Sequence, residues 1–363
     1  MNSKKLCALR EKYADQSFLE VDDPEHKKVV KELVRQQFMG APTILGAASQ
    51  EQLAGLDIAL IGVPFDLGVT RRAGARFGPK AIREENSPIG PLNHETRINP
   101  FNLCKVADVG NIDLQVFSLD AGINRIEEYY HQVMDVGVAP LAIGGDHSIT
   151  YPILKAIGRD QPVGLIHIDA HCDTMGAVDG TKFHHGGPFR QAVLDGVLDP
   201  ERTIQIGIRG SAEPLWEFSS ESGMTVIHIE DIQKMGMDAV IEKARQVVGD
   251  GLTYVSFDVD SLDPSFAPGT GTPEVGGLTT REAMQLLRGL QGIKIIGGDV
   301  VEVAPEYDPT SNTAQVGKQM LFEILCLAAN SRQKVKVMNN SIEADQVSAV
   351  IQEYVDACKV GGV

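Results

Sequence analysis

The sequence predicts an α/β protein, with a mostly parallel sheet of about eight strands and helices over both faces. Two observations carry this expectation. Short apolar runs recur along the chain, and most are separated by stretches of helical period. A third, the placing of acids and imidazoles just after three of those runs, says where the chemistry should lie.

The runs are DIALIGV (57–63), KVADVG (105–110), APLAIGGD (139–146), VGLIHID (163–169), TIQIGIR (203–209), MTVIHIE (224–230), LTYVSFDVD (252–260) and IKIIGGDVVEV (293–303). Helix-like periods cover 120–136, 236–248 and 279–290. Residues 1–55 read as a polar N-terminal extension with one amphipathic helix around 26–38. Residues 56–330 read as the main domain and 331–363 as a C-terminal extension. The stretch NSRQKVKVMNNS, from Asn330, reads as a linker to a terminal helix, SIEADQVSAVIQEYVDAC.

A length of 363 residues and a 43% hydrophobic content support one large core. The net charge of −16 argues against a nucleic-acid partner, which would call for a basic stripe. Five cysteines without CxxC spacing, and an N-terminus without an apolar signal core, point to a reducing cytoplasm. No run approaches the roughly 20 apolar residues of a membrane span, so no membrane role is expected.

In open α/β sheets ligands bind beyond the carboxyl ends of the strands. GGDHS places His147 there. IHIDAHCDT places Asp169, His171 and Asp173, and SFDVDSLDP places Asp258 and Asp260. In an extended chain alternate residues share a face, so each set would project together. Four aspartates converging in a crevice repel one another and would take up protons or disrupt the fold. Two divalent cations balance that charge. Carboxylates with imidazoles suit manganese, with iron, nickel, cobalt or zinc as alternatives. Such a pair can make hydroxide near neutral pH. A lone DxH, DxD or GGDH is a weak signal; the three together, all at strand ends, predict a binuclear centre.

At these residues the sequence resembles the ureohydrolases, the family of arginase, agmatinase and guanidinobutyrase. The resemblance runs from Asp57 to Ala329 and includes GVPFDLGVTRRAGARFGPKAIR, GGDHS, DAHCDT, SFDVDSLDPSFAPGTGTPEVGGLT and DVVEVAPEYD. It implies a three-layer αβα sandwich around an eight-stranded parallel sheet. It implies one metal held by His147, Asp169, Asp173 and Asp258 and another by His171, Asp169, Asp258 and Asp260, with Asp169 and Asp258 bridging. Glu302 matches the glutamate that pairs with a substrate guanidinium, and Thr272 a residue lining that pocket. His185 matches a histidine that lines the cleft and relays protons, with His184 its neighbour. Asp173 would pass a proton to the leaving amine. His167 reads as buried support and Cys172 as core.

The implied reaction is hydrolysis of a guanidino carbon to urea and an amine, with two divalent ions, manganese first and nickel the main alternative. The motifs look closer to agmatinase and guanidinobutyrase than to arginase, which leaves agmatine, 4-guanidinobutyrate and 3-guanidinopropionate as substrates. Arg71, Arg72 and Arg76 would be the cations available to a carboxylate tail. The terminal extensions, and Gly187 where relatives carry a bulkier residue, would suit an unusual guanidine or a metformin-type biguanide. Nickel and a hetero-oligomer with a related subunit would fit that alternative. Free guanidine fits less well, because GTGTP lacks a bulky residue to close a very small pocket. A homo-oligomer, trimer or hexamer, is the family expectation. Outside this class, a non-catalytic subunit of a ureohydrolase complex is the competing reading. A one-zinc deacetylase lacks the double set of aspartates, and no GxGxxG supports dinucleotide binding.

Overall fold

Residues such as IALIG and VGLIHI bury every side chain, which requires cover on both faces of the sheet they form. The structure, a computed structural model, describes residues 43–334 except 86–88, 116 and 211–212, with 3–14 and positions 23–24, 27 and 30–31. The expected helix at 26–38 and the terminal helix after Lys334 lie outside the described residues, apart from isolated helical positions at 27 and 30–31.

The strands are β1 (Ala48–Ser49), β2 (Ile58–Gly62), β3 (Val106–Asn111), β4 (Ala139–Ile143), β5 (Val163–Ile168), β6 (Leu198–Ile208), β7 (Thr225–His228), β8 (Thr253–Asp258) and β9 (Ile295–Val301). They form one sheet in the order β1-β3-β2-β4-β9-β8-β5-β6-β7, and every pairing is parallel. All eight predicted strands are present. The ninth, β1, is a two-residue exposed edge with no alternating pattern to betray it.

Alternation along each strand feeds two cores. Ile58, Leu60, Leu141, Ile143, Ile166 and Ile168 face one layer, with side chains of helices Met237–Val248 and Thr280–Gly289 and of helical residues 312–334. Ala59, Ile61, Ala142, Val163 and Leu165 face the other, with Ile126 and Tyr130 of helix Leu119–Asp135 and Ile153 and Leu154 of helix Thr150–Ile157. The result is the three-layer sandwich expected.

Two boundaries differ from the sequence reading. Ile44 and Leu45, assigned to the N-terminal extension, are buried in the main core, and the Ile44 N–H donates to Asp108 Oδ2 at 2.9 Å. Asn330 is not the start of a linker, because the helix from 312 continues through 334. That helix is buried over most of its surface, so its sequence shows little amphipathic period.

β4, β9, β8 and β5 are the four adjacent central strands. His147, Glu302, Asp258 and Asp169 follow or end them at the carboxyl edge, so one crevice collects all four.

Candidate metal centre

β4 runs into GGDHS through Gly145, where an added Cβ would sit 1.8 Å from the Phe65 carbonyl oxygen; only glycine allows that approach. The chain then turns into a short 3-10 segment beginning at His147. The His147 Nε2 contacts Ser256 Oγ at 2.8 Å, and Ser256 donates to Asp299 Oδ1 at 2.7 Å. Asp299 also accepts from Thr150 at 2.8 Å and Tyr254 at 3.0 Å. Ser256 has spent its proton on Asp299, so it accepts from the His147 Nε2–H. That assigns the proton to Nε2 and leaves Nδ1 with a bare lone pair.

Nδ1 of His147 lies 3.1 Å from Asp169 Oδ2, 3.0 Å from Asp173 Oδ2 and 3.2 Å from Asp258 Oδ2. Four acceptor atoms meet there with no donor among them, and Nδ1 is buried without a hydrogen-bond partner. Only a proton or a cation satisfies such a cluster. A second group adjoins it: His171 Nδ1 is 3.1 Å from Asp260 Oδ2 and 3.5 Å from Asp169 Oδ1. Asp169 thus offers one oxygen to each group. Asp258 leans on the first, its other oxygen accepting the Asp260 N–H at 2.8 Å. The donor set, imidazole nitrogen with carboxylate oxygens, fits two divalent cations of the manganese or nickel kind.

The convergence does not arise as strand alternation would have it. β5 ends at Ile168, and residues 169–171 form a bend. Asp173 has φ +51°, a left-handed conformation costly for a residue with a Cβ. Asp260 sits in the 3-10 turn Val259–Ser261, not on β8. Loop geometry brings these side chains together, and β5 and β8 only deliver the loops.

Electrostatics favour cations here. Burial pushes the Asp258 carboxyl well above its ordinary range, with Asp260 and Asp169 adding to the shift. Asp260 is raised to about 6, because burial and the Asp169 charge outweigh His171. Burial works against a charged His147, yet the three carboxylates hold its protonated form well above the usual imidazole range. A cation in place of those protons meets the same demand.

His167 belongs to the support. Gln205 Nε2 donates to its Nδ1 at 3.0 Å, so its Nε2–H donates to Asp169 Oδ2 at 2.7 Å. It is a hydrogen-bond donor to a ligand candidate, as the sequence suggested.

Glu302 follows β9 with φ +65° and is buried. Its Oε1 accepts the His147 backbone N–H at 2.9 Å and meets His185 Nδ1 at 2.9 Å, while Oε2 is buried without a partner. Thr70 Oγ1 lies 2.6 Å from His185 Nε2 and can accept its hydrogen when the ring is charged, while the Nδ1–H faces Glu302. Burial opposes charging His185, but Glu302 prevails and raises it to about 9. The neighbouring His184 instead contacts the Gly176 carbonyl at 2.8 Å, so the histidine facing Glu302 is His185. Thr272 donates to Asp260 Oδ2 at 3.2 Å.

A cavity of about 160 Å³ opens over these residues, lined by Thr70, His171, Asp173, His185, Asp258, Asp260 and Thr272. Cys172, read as core, is buried but also borders it, together with Met175, Gly186, Leu215 and Trp216. Trp216, the chain's one tryptophan, was not singled out in the sequence; only its rarity could have flagged it. Gly187 does not widen the cavity: a Cβ there would meet the Met175 carbonyl and the His184 ring at 3.1 Å.

Arg209, also not singled out, ties the site loops together. Its Nη2 donates to the carbonyls of Asp260 (2.7 Å), Leu262 (3.2 Å) and Glu274 (2.7 Å). Its Nη1 reaches Gly207 and Ser261 at 3.2 Å each, and Nε reaches Val275 at 3.1 Å. Gly210 clears space beside it, since a Cβ would sit 2.7 Å from His171 Nε2.

Residues 56–327 match the arginase family. The guanidinopropionase of Pseudomonas aeruginosa is 48% identical over 298 residues, 81% of this chain and 94% of that protein. Among solved structures, the proclavaminate amidino hydrolase of Streptomyces clavuligerus superposes with a TM-score of 0.77 at 36% identity, covering 80% of this chain and 97% of that one. A Trypanosoma cruzi formiminoglutamase structure described as holding Mn2+ gives a TM-score of 0.71 at 27% identity, covering 80% and 99%.

Proposed function

The chain belongs to the arginase family, and on that premise we propose that it is an amidinohydrolase that adds water to the guanidino carbon of a small substrate and releases urea and an amine. The observation that carries this reading is the pair of adjoining acceptor clusters joined by the two oxygens of Asp169. The names of the relatives, guanidinopropionase and proclavaminate amidino hydrolase, support it.

In this reading His147, Asp169, Asp173 and Asp258 would hold one cation, and His171, Asp260 and the other oxygen of Asp169 would hold the second, with Asp258 beside it. Manganese is the first choice, since a structural neighbour is described with it, and nickel suits the same donors. When bound, the two cations supply Lewis acidity and a hydroxide nucleophile near neutral pH.

The chain's own groups do the positioning. Glu302 Oε2, buried and unpartnered, accepts an N–H of the substrate cation, a charge-assisted bond that fixes the guanidinium plane. His185 holds the other oxygen of Glu302 through Nδ1–H, and Thr70 fixes that ring. Thr272 borders the pocket where the guanidinium sits. Asp173 takes the proton that the attacking water gives up and hands it to the departing amine as the C–N bond breaks, and His185 at the cavity wall exchanges protons with solvent. Protons balance, because a guanidinium and water give urea and an alkylammonium.

Purified protein stripped of metal and reloaded with manganese or nickel, then offered guanidino compounds with urea monitored, tests this. Urea release that depends on the added metal is expected. Urea release from the fully stripped protein, or none from any guanidino compound with metal bound, would overturn the reading.

A further inference from the structure

A second cavity, of about 1080 Å³, lies away from the metal centre. Leu56 and Lys105 border it and come just before β2 and β3, so it sits at the amino edge of the sheet. Leu45, Ala47, Leu56, Phe101, Val106 and Ala107 give it an apolar lining. Lys27, Lys31 and Lys105 give it cations, and no aspartate or glutamate is found among the described lining residues. That is a local reversal of sign in a chain of net charge −16. The volume exceeds the roughly 300–1,000 Å³ of ordinary small-molecule sites. Ala48 of β1 also borders the cavity, and β1 is the outermost strand, with no further strand beside it among the described residues. Native proteins cover such an edge or blunt it with charge.

The helix at 312–334 runs to the same edge. Arg332 donates to the carbonyl of Gly137, two residues before β4. The Ala329 carbonyl accepts from Sγ of Cys104, a lining residue, at 3.7 Å. Residues 335–340, extended at roughly 3.3–3.6 Å each, reach about 20 Å. β4 and β3 are separated only by β2, which is roughly 10 Å across. The stretch that follows, SIEADQVSAVIQEYVDAC (341–358), is therefore within reach of the cavity.

Its chemistry complements the lining. Val347, Val350, Ile351, Tyr354 and Val355 recur at i, i+3, i+4, i+7 and i+8, the apolar stripe of a helix. At roughly 100° per residue, Asp345, Glu353 and Asp356 fall on the other side. With Glu343 the stretch holds four acids and no lysine or arginine.

We propose that residues 341–358 dock in this cavity of their own chain as an amphipathic helix. The apolar stripe packs on the Leu45, Phe101 and Val106 lining, the acids meet Lys27, Lys31 and Lys105, and the β1 edge is covered. The inference is independent of the reaction proposed above.

The test uses the full-length protein and a zero-length carbodiimide, which joins a carboxylate to an ammonium only where the two touch. Isotope-labelled and unlabelled protein are mixed in equal parts before the reagent is added, and the linked peptides are identified by mass spectrometry. Links from Glu343, Asp345, Glu353 or Asp356 to Lys27, Lys31 or Lys105 are expected, with both ends carrying the same label. Ile351→Lys sets a charge in the apolar stripe and should lower their yield by about tenfold. It should also speed hydrogen exchange at residues 104–107. Val355→Lys serves should the first variant not fold. Links only between differently labelled chains would place the segment on a second copy and overturn the inference. Links made equally to Lys234 and Lys243, which flank β7 at the far edge of the sheet, would show a segment without a seat and overturn it too. Absence of the expected links, or a small anion found in the cavity by native mass spectrometry in their place, would do the same.

Discussion

Removing one hydroxyl, in Ser256→Ala, isolates the orientation of His147 from its identity as a ligand. In the native chain Ser256 Oγ accepts from His147 Nε2 at 2.8 Å and donates to Asp299 at 2.7 Å. Both bonds are buried, so alanine leaves an imidazole N–H and one carboxylate oxygen unpaired, at about 1–3 kcal/mol each where no water enters. The imidazole is also freed to place its proton on Nδ1, the atom that faces Asp169, Asp173 and Asp258. Loss of such an outer partner typically weakens a metal site about 10–100-fold, or about 1.4–2.7 kcal/mol. The second cluster, His171 with Asp260, shares no hydrogen bond with Ser256 and should keep its affinity. Stepwise manganese titration against a chelator reads the two events separately. Equal weakening of both steps, or no change in either, would refute the argument that Ser256 sets the His147 tautomer.

Other perturbations act on separate parts of the site. Glu302→Gln keeps the shape but removes the charge that meets the guanidinium; kcat/KM should fall by about 10–100-fold, the worth of a charged hydrogen bond of about 1.5–3 kcal/mol, with metal content by mass spectrometry unchanged. Arg209→Lys keeps the charge but cannot reach six carbonyls at once. Manganese affinity should fall by about tenfold or more at the His171–Asp260 step and be preserved at the other. The pairing of His185 with Glu302 gives a pH signature. The folded-state pKa of His185, about 9, lies above its ordinary value, so the stabilisation is full below pH ~6.5 and is lost as pH rises through about 9. The stability gap between the metal-free protein and its His185→Gln variant should therefore shrink from pH 6 towards pH 9.5 in denaturant titrations. A gap that widens over that range would show the sign to be wrong.

The sequence spelled out the sheet because its central strands are continuous apolar runs, a pattern that only two-sided burial explains. It also named the candidate ligands, because acids and imidazoles stood where apolar residues should have ended. What it misjudged was the means of convergence. Strand alternation places His167, and Asp169 falls in the bend just past β5, but Asp173 and Glu302 depend on left-handed backbones that no periodicity reveals. Gly187 looked like room for substrate, yet the space beside it is filled from elsewhere in the chain, by His184 and Met175. Arg209 and Trp216 escaped notice because their roles come from loops far away in sequence: Arg209 reaches residues 260–275, and Trp216 enters the cavity beside Met175. The helix at 312–334 gave little periodic signal because nearly all its faces are buried.

The most direct test of the account is urea release measured against manganese bound per chain. Protein freed of metal should be silent, and turnover should appear only as the second ion binds, reaching its plateau at two per chain. Asp169→Asn, which alters the carboxylate shared by both clusters, should lose both binding steps and the activity with them. Full turnover at one ion per chain, or an Asp169→Asn variant that still binds two ions and turns over normally, would contradict it.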